Sequence, residues 1–127
     1  MVLAVYENGE VAFSGLHQNI FMYRAAAGRV EEIETNGMWI GIMDDIDNLL
    51  QNDKFRFEVG DTLLLYTDGI TEARDQDNTM FSEEKLKQVF EGSADKSTAE
   101  IEKTILSALD TYQKDDDVTF VIAKRLE

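Results

Sequence analysis

The stretch Thr62-Leu63-Leu64-Leu65-Tyr66 constrains this chain more than any other. An apolar run that does not alternate reads as a β-strand buried on both faces, so the fold must cover it from two sides. The residues before it behave differently. Phe55-Arg56-Phe57-Glu58-Val59 alternates apolar and charged side chains, the pattern of a half-buried strand, and Gly60-Asp61 turns the chain between the two. After the run, Thr67-Asp68-Gly69 ends the strand.

The rest of the first half also reads as strands. Residues 3–6 and 11–14 flank Glu7-Asn8-Gly9-Glu10, a hairpin turn with Asn-Gly at its centre. Residues 15–19 make a second turn, 20–25 the next strand, Ala26-Ala27-Gly28 a further turn and 29–35 its partner. In that partner Val30 and Ile33 stand among charges, which predicts one wet face. Residues 37–41 form a glycine-bounded loop with Trp39 as a core anchor. Residues 44–53 are acidic, anchored by Ile46, Leu49 and Leu50, and read as a loop or a single helical turn. The chain has no proline, so its turns fall to Gly, Asn and Asp.

Beyond residue 80 the period changes. Ser82 is a good N-cap, Glu83 and Glu84 suit the first turn, and Leu86, Val89 and Phe90 follow at i, i+3 and i+4. Gly92 is expected to end that helix. Ser97-Thr98-Ala99-Glu100 is a capping box, and Ile101, Ile105, Ala108, Leu109 and Tyr112 form one apolar stripe over a second helix. Residues 118–123 read as a final buried strand. The expectation is a single α+β domain over residues 1–127: an antiparallel meander, two helices covering one face, and a closing strand.

Charge narrows the partners. Twelve Lys and Arg against 26 Asp and Glu give a formal net charge of −14. Nucleic-acid binding needs a basic stripe that displaces counterions, and an anionic membrane surface needs a basic patch, so the balance argues against both. The chain has no Cys, hence no disulfide framework, thiolate metal site or thiol nucleophile. No apolar run approaches the ~18 residues of a membrane span and no leader pattern opens the sequence, so the cytoplasm is the expected compartment.

Two acidic groups sit at strand ends. Asp68 follows the most apolar strand, and Asp116 precedes the last one. Taken singly, Asp68 is an ordinary turn residue before Gly69, and Asp115-Asp116-Asp117 is a solvated charge run. Carboxylates on rigid strand ends also suit hard cations, since Mg²⁺ and Mn²⁺ take oxygen ligands and keep several waters.

The pair gains weight from a resemblance. Leu63-Leu64-Leu65-Tyr66-Thr67-Asp68-Gly69-Ile70-Thr71-Glu72-Ala73 resembles a hallmark segment of the SpoIIE-like metal-dependent protein serine/threonine phosphatases, the PPM group. Val59-Gly60-Asp61-Thr62 leads into it as in that family, and Phe81, a helix, then Asp115-Asp116-Asp117-Val118-Thr119 resembles its closing motif. Ser14-Gly15-Leu16-His17 and Gly37-Met38-Trp39-Ile40-Gly41-Ile42 fit as well, so the resemblance covers nearly the whole chain. It implies part of an α-β-β-α phosphatase sandwich. It implies that Asp68 and Asp116 are metal ligands, with Gly69 and Asp117 as accessory positions. In such enzymes a pair of Mg²⁺ or Mn²⁺ ions holds a bridging water of lowered pKa that attacks a phosphoserine phosphorus in line. The implied substrates are small phosphoserine regulators, such as anti-sigma-factor antagonists. Asp116 and Asp117 are neighbours on a strand, so only one of them normally faces the metal.

The departure from the family is equally specific. Its other metal-binding residues lie in an N-terminal half that includes a Gly-His-Gly segment, absent from this sequence. The single histidine, His17, falls in a hairpin turn and reads as structural or exposed. The chain thus resembles the C-terminal half of the domain and is expected not to turn over phosphoserine by itself. A catalytically dead module of the same fold that docks a regulator is the rival reading. Self-association through exposed sheet edges is a third. Asp75-Gln76-Asp77-Asn78-Thr79 opens like a calcium loop, but Met80 and Leu86 occupy the positions that need Gly and Glu, so an exposed loop is expected there.

Overall fold

The computed structural model describes residues 2–5, 9–14, 20–33, 54–113 and 118–126. Seven strands and three helices lie among them. They are β1 (Val2–Val5), β2 (Glu10–Ser14), β3 (Ile20–Arg24), β4 (Arg29–Ile33), β5 (Lys54–Arg56), β6 (Thr62–Tyr66), α1 (Asp68–Thr71), α2 (Glu83–Ser93), α3 (Thr98–Leu109) and β7 (Phe120–Lys124). The expected readings at His17 and Trp39, and over 44–53, lie outside the described residues.

The strands form two antiparallel sheets, one ordered β1-β2-β5 and one ordered β4-β3-β6-β7. The expected meander is corrected here. β6 pairs with β3, with Met22 opposite Leu63, rather than with the strand before it. The reason is burial. β3 and β6 are apolar on both faces and take the two central positions, whereas β4, with Arg29, Glu31 and Glu32, tolerates an edge. At that edge the Val30 N–H donates to Glu91 Oε2 of α2 at 2.9 Å, which blunts it against pairing with another chain.

The alternation of β6 separates two cores. Leu64 and Tyr66 join Phe21, Ile70, Phe81, Leu86, Phe90, Ile101, Ile105 and Leu109 under the helices. Leu63 packs with Ile20, Met22 and Phe57 in the other cluster, with Leu65 against it. Phe57 follows β5, so the chain of the second sheet enters that cluster, and its N–H donates to the Gly9 carbonyl. Gly9 has φ +87°, a backbone conformation that L side chains rarely adopt, so this position favours a glycine. Both long helices lie on one face of the four-stranded sheet, as expected.

Three boundaries differ from expectation. The half-buried strand 55–59 is shorter, Lys54–Arg56, and hands over to a turn closed by Asp61. Asp61 is buried, and its carboxylate accepts from Ala25 N at 3.0 Å, Glu58 N at 3.0 Å and Arg24 Nη1 at 2.8 Å. These bonds hold the carboxylate where the strand begins. Helix α2 runs through Gly92 to Ser93, whose hydroxyl donates to Val89 O at 3.0 Å. The closing strand is an edge strand, not a buried one, and Val121 on it is 53% exposed. Among the described residues no helix is long and apolar enough to cross a membrane.

Candidate functional site

β6 delivers Asp68 onto a stiff base. The run Leu63 to Tyr66 is packed from both sides, and the chain then folds into the single turn α1. Sequence reading placed only a strand end here, because Gly69 opposes a helix. The turn forms because Gly69, Ile70 and Thr71 are buried, with Ile70 fully inside the core under the helices. Asp68 is the exposed member of the four. Its carbonyl accepts from Glu72 N at 2.9 Å and from the Thr71 hydroxyl at 3.4 Å. No described residue donates a hydrogen bond to its carboxylate.

Three sets of bonds fix this turn to its surroundings. Toward α2, Phe81 N donates to Ala73 O at 2.7 Å and Ser82 N to Thr71 O at 2.9 Å. Beyond α3, Arg74 and Gln113 exchange backbone bonds of 3.0 and 2.7 Å. Toward β7, Thr67 N donates to Thr119 O at 3.1 Å. The last two sets bracket the closing acidic motif. Asp116 and Asp117 lie outside the described residues, yet Gln113 and Thr119, on either side of them, are both pinned to the Asp68 substructure.

The donor chemistry here is hard carboxylate oxygen. An exposed carboxylate on a rigid turn, free of hydrogen-bond donors from the described residues, fits a largely hydrated Mg²⁺ or Mn²⁺. Among the described residues no group of three or more His, Asp or Glu side chains forms a ready-made cage. Residues 74–80 form a loop bonded within itself. Asp75 Oδ1 accepts from Asp77 N and Thr79 N at 2.9 Å each, and Arg74 Nη1 donates to Asn78 O at 2.8 Å, so the loop satisfies its own polar groups.

Tyr66 and Thr67 carry features that the sequence reading did not assign. Tyr66 stacks on Phe21 with ring centroids 5.1 Å apart, and its buried hydroxyl has no hydrogen-bond partner among the described residues. Burial, followed by the nearby carboxylate of Glu83, pushes the Tyr66 phenol above its ordinary pKa. Thr67 is the N-cap of α1 but makes no side-chain cap. The only sequence signal for either was its place in the segment around Asp68.

Comparison with known proteins gives the family and the fold. The Stage II sporulation protein E (SpoIIE) family model matches residues 1–126. The chain is 30% identical over 112 residues to Phosphoserine phosphatase RsbU of Bacillus subtilis (strain 168), covering 86% of this chain and 32% of that protein. Among solved structures, the SiaA-PP2C domain of Pseudomonas aeruginosa superposes with a TM-score of 0.70 at 19% identity, covering 91% of this chain and 46% of that one. The phosphatase domain of the cell fate determinant SpoIIE from Bacillus subtilis superposes with a TM-score of 0.65 at 16% identity, covering 97% and 56%. A manganese-presoaked form of that domain is a further match, with a TM-score of 0.59 at 16% identity, covering 98% and 54%. The chain therefore spans about a third of RsbU and about half of these phosphatase domains, and shares with the latter an α+β fold built on an antiparallel sheet. With a family model matched over all but its last residue, the chain belongs to the SpoIIE family.

Proposed function

We propose that the chain is the C-terminal portion of a Mg²⁺- or Mn²⁺-dependent protein serine phosphatase of bacterial signalling. Its substrate class is a small phosphoserine regulatory protein, such as an anti-sigma-factor antagonist. The observation that supports this reading is that the described residues on either side of the closing acidic motif are bonded to the segment around Asp68, Thr119 to Thr67 and Gln113 to Arg74.

In this reading Asp68 and Asp116 hold the cations, and Gly69 and Asp117 flank them. The cations, when bound, supply a water of lowered pKa and offset the repulsion between a −14 chain and a phosphate dianion. The protein's own part is positional. The buried Ile70 and the bonds to Thr71 and Ala73 hold the backbone of the turn, so only the exposed Asp68 side chain has to be ordered when it meets a ligand. Two carboxylates alone make a weak site, and the 127-residue chain is expected to bind the ion without turning over substrate.

The test is Mn²⁺ uptake followed by the electron paramagnetic resonance signal of the free ion, with p-nitrophenyl phosphate hydrolysis in parallel. The unaltered chain should take up Mn²⁺, and Asp68→Asn and Asp116→Asn should each lose that uptake. Equal uptake by all three chains would refute the ligand assignment. Hydrolysis that Asp68→Ala abolishes would refute the inactivity of this portion alone.

A further inference from the structure

We propose that the outer edge of β7 is a self-association surface: two copies of this chain join β7 to β7, antiparallel about a two-fold axis, and each covers the groove that the other leaves between β7 and α3. The proposal is independent of the metal reading above.

β7 is the last strand of its sheet, and the direction of its backbone groups follows from its bonds to the β6 side. Thr67 N donates to Thr119 O at one end, and Arg125 N donates to Asp61 O at the other, each at 3.1 Å. In an antiparallel pair, residues that exchange bonds with the neighbour alternate with residues that face away from it. Residues 119, 121, 123 and 125 therefore face β6. Phe120, Ile122 and Lys124 turn their N–H and C=O groups outward, and no described residue bonds to those groups.

The opposite edge of the sheet is protected and this one is not. β4 carries Arg29, Glu31 and Glu32, and Glu91 takes its Val30 N–H. Phe120-Val121-Ile122-Ala123 has neither the charge nor the proline that ordinarily keeps an edge from pairing. Apolar surface borders it on both faces. On the helix side a groove of about 710 Å³ has Ala99, Glu102 and Leu106 of α3 on one wall and Val118, Phe120 and Ile122 on the other. Leu106 is 46% exposed. Val121 is exposed on the face away from the helices.

A second copy fits because the strand is complementary to itself. With Ile122 on the axis, Phe120 lies opposite Lys124 of the second copy, so all three outward residues pair and about six backbone bonds form. The axis stands perpendicular to the sheet and keeps each face on its own side. Phe120 and Ile122 of both copies then border the grooves, and Val121 of both lies on the other face. Charge agrees with this register. The Lys124 side chain is on the helix side, where its Nζ donates to Lys96 O at 2.7 Å. Lys124 of the second copy therefore arrives beside Phe120, where Glu102 forms the groove wall. The net charge of −14 opposes association at long range, so a weak contact is expected, with a Kd of about 10–100 µM.

Sedimentation velocity of the 127-residue chain, from micromolar to about 1 mM, tests the association. A monomer–dimer equilibrium is expected. Val121→Lys places two ammonium side chains on residues about 7–8 Å apart across the axis and should weaken the dimer roughly tenfold. It also makes the net charge less negative, which lowers long-range repulsion, so a loss of dimer reports a local effect. Met80→Lys changes the net charge equally at another exposed apolar residue, in the loop 74–80, and should stay within about twofold of the unaltered chain. Hydrogen exchange supplies a readout without substitution. The Phe120, Ile122 and Lys124 amides should slow as concentration rises, while those of Val121 and Ala123, already paired with β6, should not.

A monomer at ~1 mM would overturn the proposal and leave the edge to a strand of another protein. A dimer that Val121→Lys and Met80→Lys affect alike would overturn it too. So would a dimer in which the Ile122 amide exchanges as fast as in the dilute chain.

Discussion

Ser82 should respond to substitution with opposite signs according to whether a Cβ remains. It sits at φ 76° and ψ 158°, a region that only glycine enters without strain. Its neighbours hold it there. Its N–H reaches Thr71 O, its carbonyl accepts from Leu86 N at 3.2 Å, its hydroxyl accepts from Lys85 N at 3.3 Å, and Phe81 before it is buried. Residues in such conformations carry about 1–3 kcal/mol of strain, and ~2 kcal/mol is a central figure. Ser82→Gly removes the Cβ that causes it. Against that gain, losing the cap to glycine costs a few tenths of a kcal/mol, and the freer unfolded chain costs about 0.5–1 kcal/mol. The net expectation is stabilisation by ~1 kcal/mol. Ser82→Ala keeps the strain and loses the cap, a loss of ~1 kcal/mol.

Urea unfolding followed by circular dichroism reads both changes. With a slope of ~1.5 kcal/mol per molar urea, the midpoint should rise by about 0.7 M for Ser82→Gly and fall by about 0.7 M for Ser82→Ala. Equal slopes for the three chains would show that the native state, and not the compactness of the unfolded one, has changed. An alanine variant at least as stable as the glycine variant would refute the strain argument, because the two differ only in the Cβ.

Two further outcomes use the same assay. Asp61→Ala removes the acceptor of three hydrogen bonds and leaves the largely buried Arg24 guanidinium with one carboxylate partner, Glu31, so the loss should reach about 3–5 kcal/mol; a loss under about 1 kcal/mol would refute its role as the hinge of the β5–β6 turn. Tyr66→Phe keeps the stacking on Phe21 and removes a buried hydroxyl without a partner among the described residues, so it should stabilise by ~1 kcal/mol. The raised Tyr66 pKa means that folding favours the neutral phenol. Its contribution is intact below about pH 10, the ordinary value, and is lost as pH climbs above it, so Tyr66→Phe should lose less stability between about pH 9 and about pH 11. Identical slopes in the two chains would contradict this.

What could be read from the sequence was local. The uninterrupted β6 run, the stripe Ile101-Ile105-Leu109 and the caps at Ser82 and Ser97 each depend on spacing within a few residues, and each stands in the structure. What misled was set by distant partners. Gly92 reads as a stop, but Phe90 and Ser93 on either side are buried against the rest of the molecule, and that packing offsets the roughly 1 kcal/mol a helical glycine costs. Thr67-Asp68-Gly69 reads as a strand end because nothing in the segment shows that Ile70 will be fully buried and will close a helical turn. The order β4-β3-β6-β7 was partly visible in hindsight, since β3 and β6 are apolar on both faces, as central strands need to be, whereas β4 carries charges.

The candidate site divides along the same line. Asp68 was nominated by its segment, since a carboxylate just past a buried strand is by itself an ordinary turn residue and it was the resemblance of residues 63–73 that singled it out. Thr67 was not, because a threonine at the end of a strand is what β-propensity alone would place there. Its cross-strand bonds exist only once residue 119, 52 positions away, is beside it. Sequence spacing can nominate the acids that would touch a cation, since ligand chemistry restricts the residue types. The groups that hold a strand end such as Thr67 in place are drawn from ordinary structural residues. They become visible only as bonds made in an unexpected direction, here an N-cap hydroxyl that leaves its own helix to join two strands.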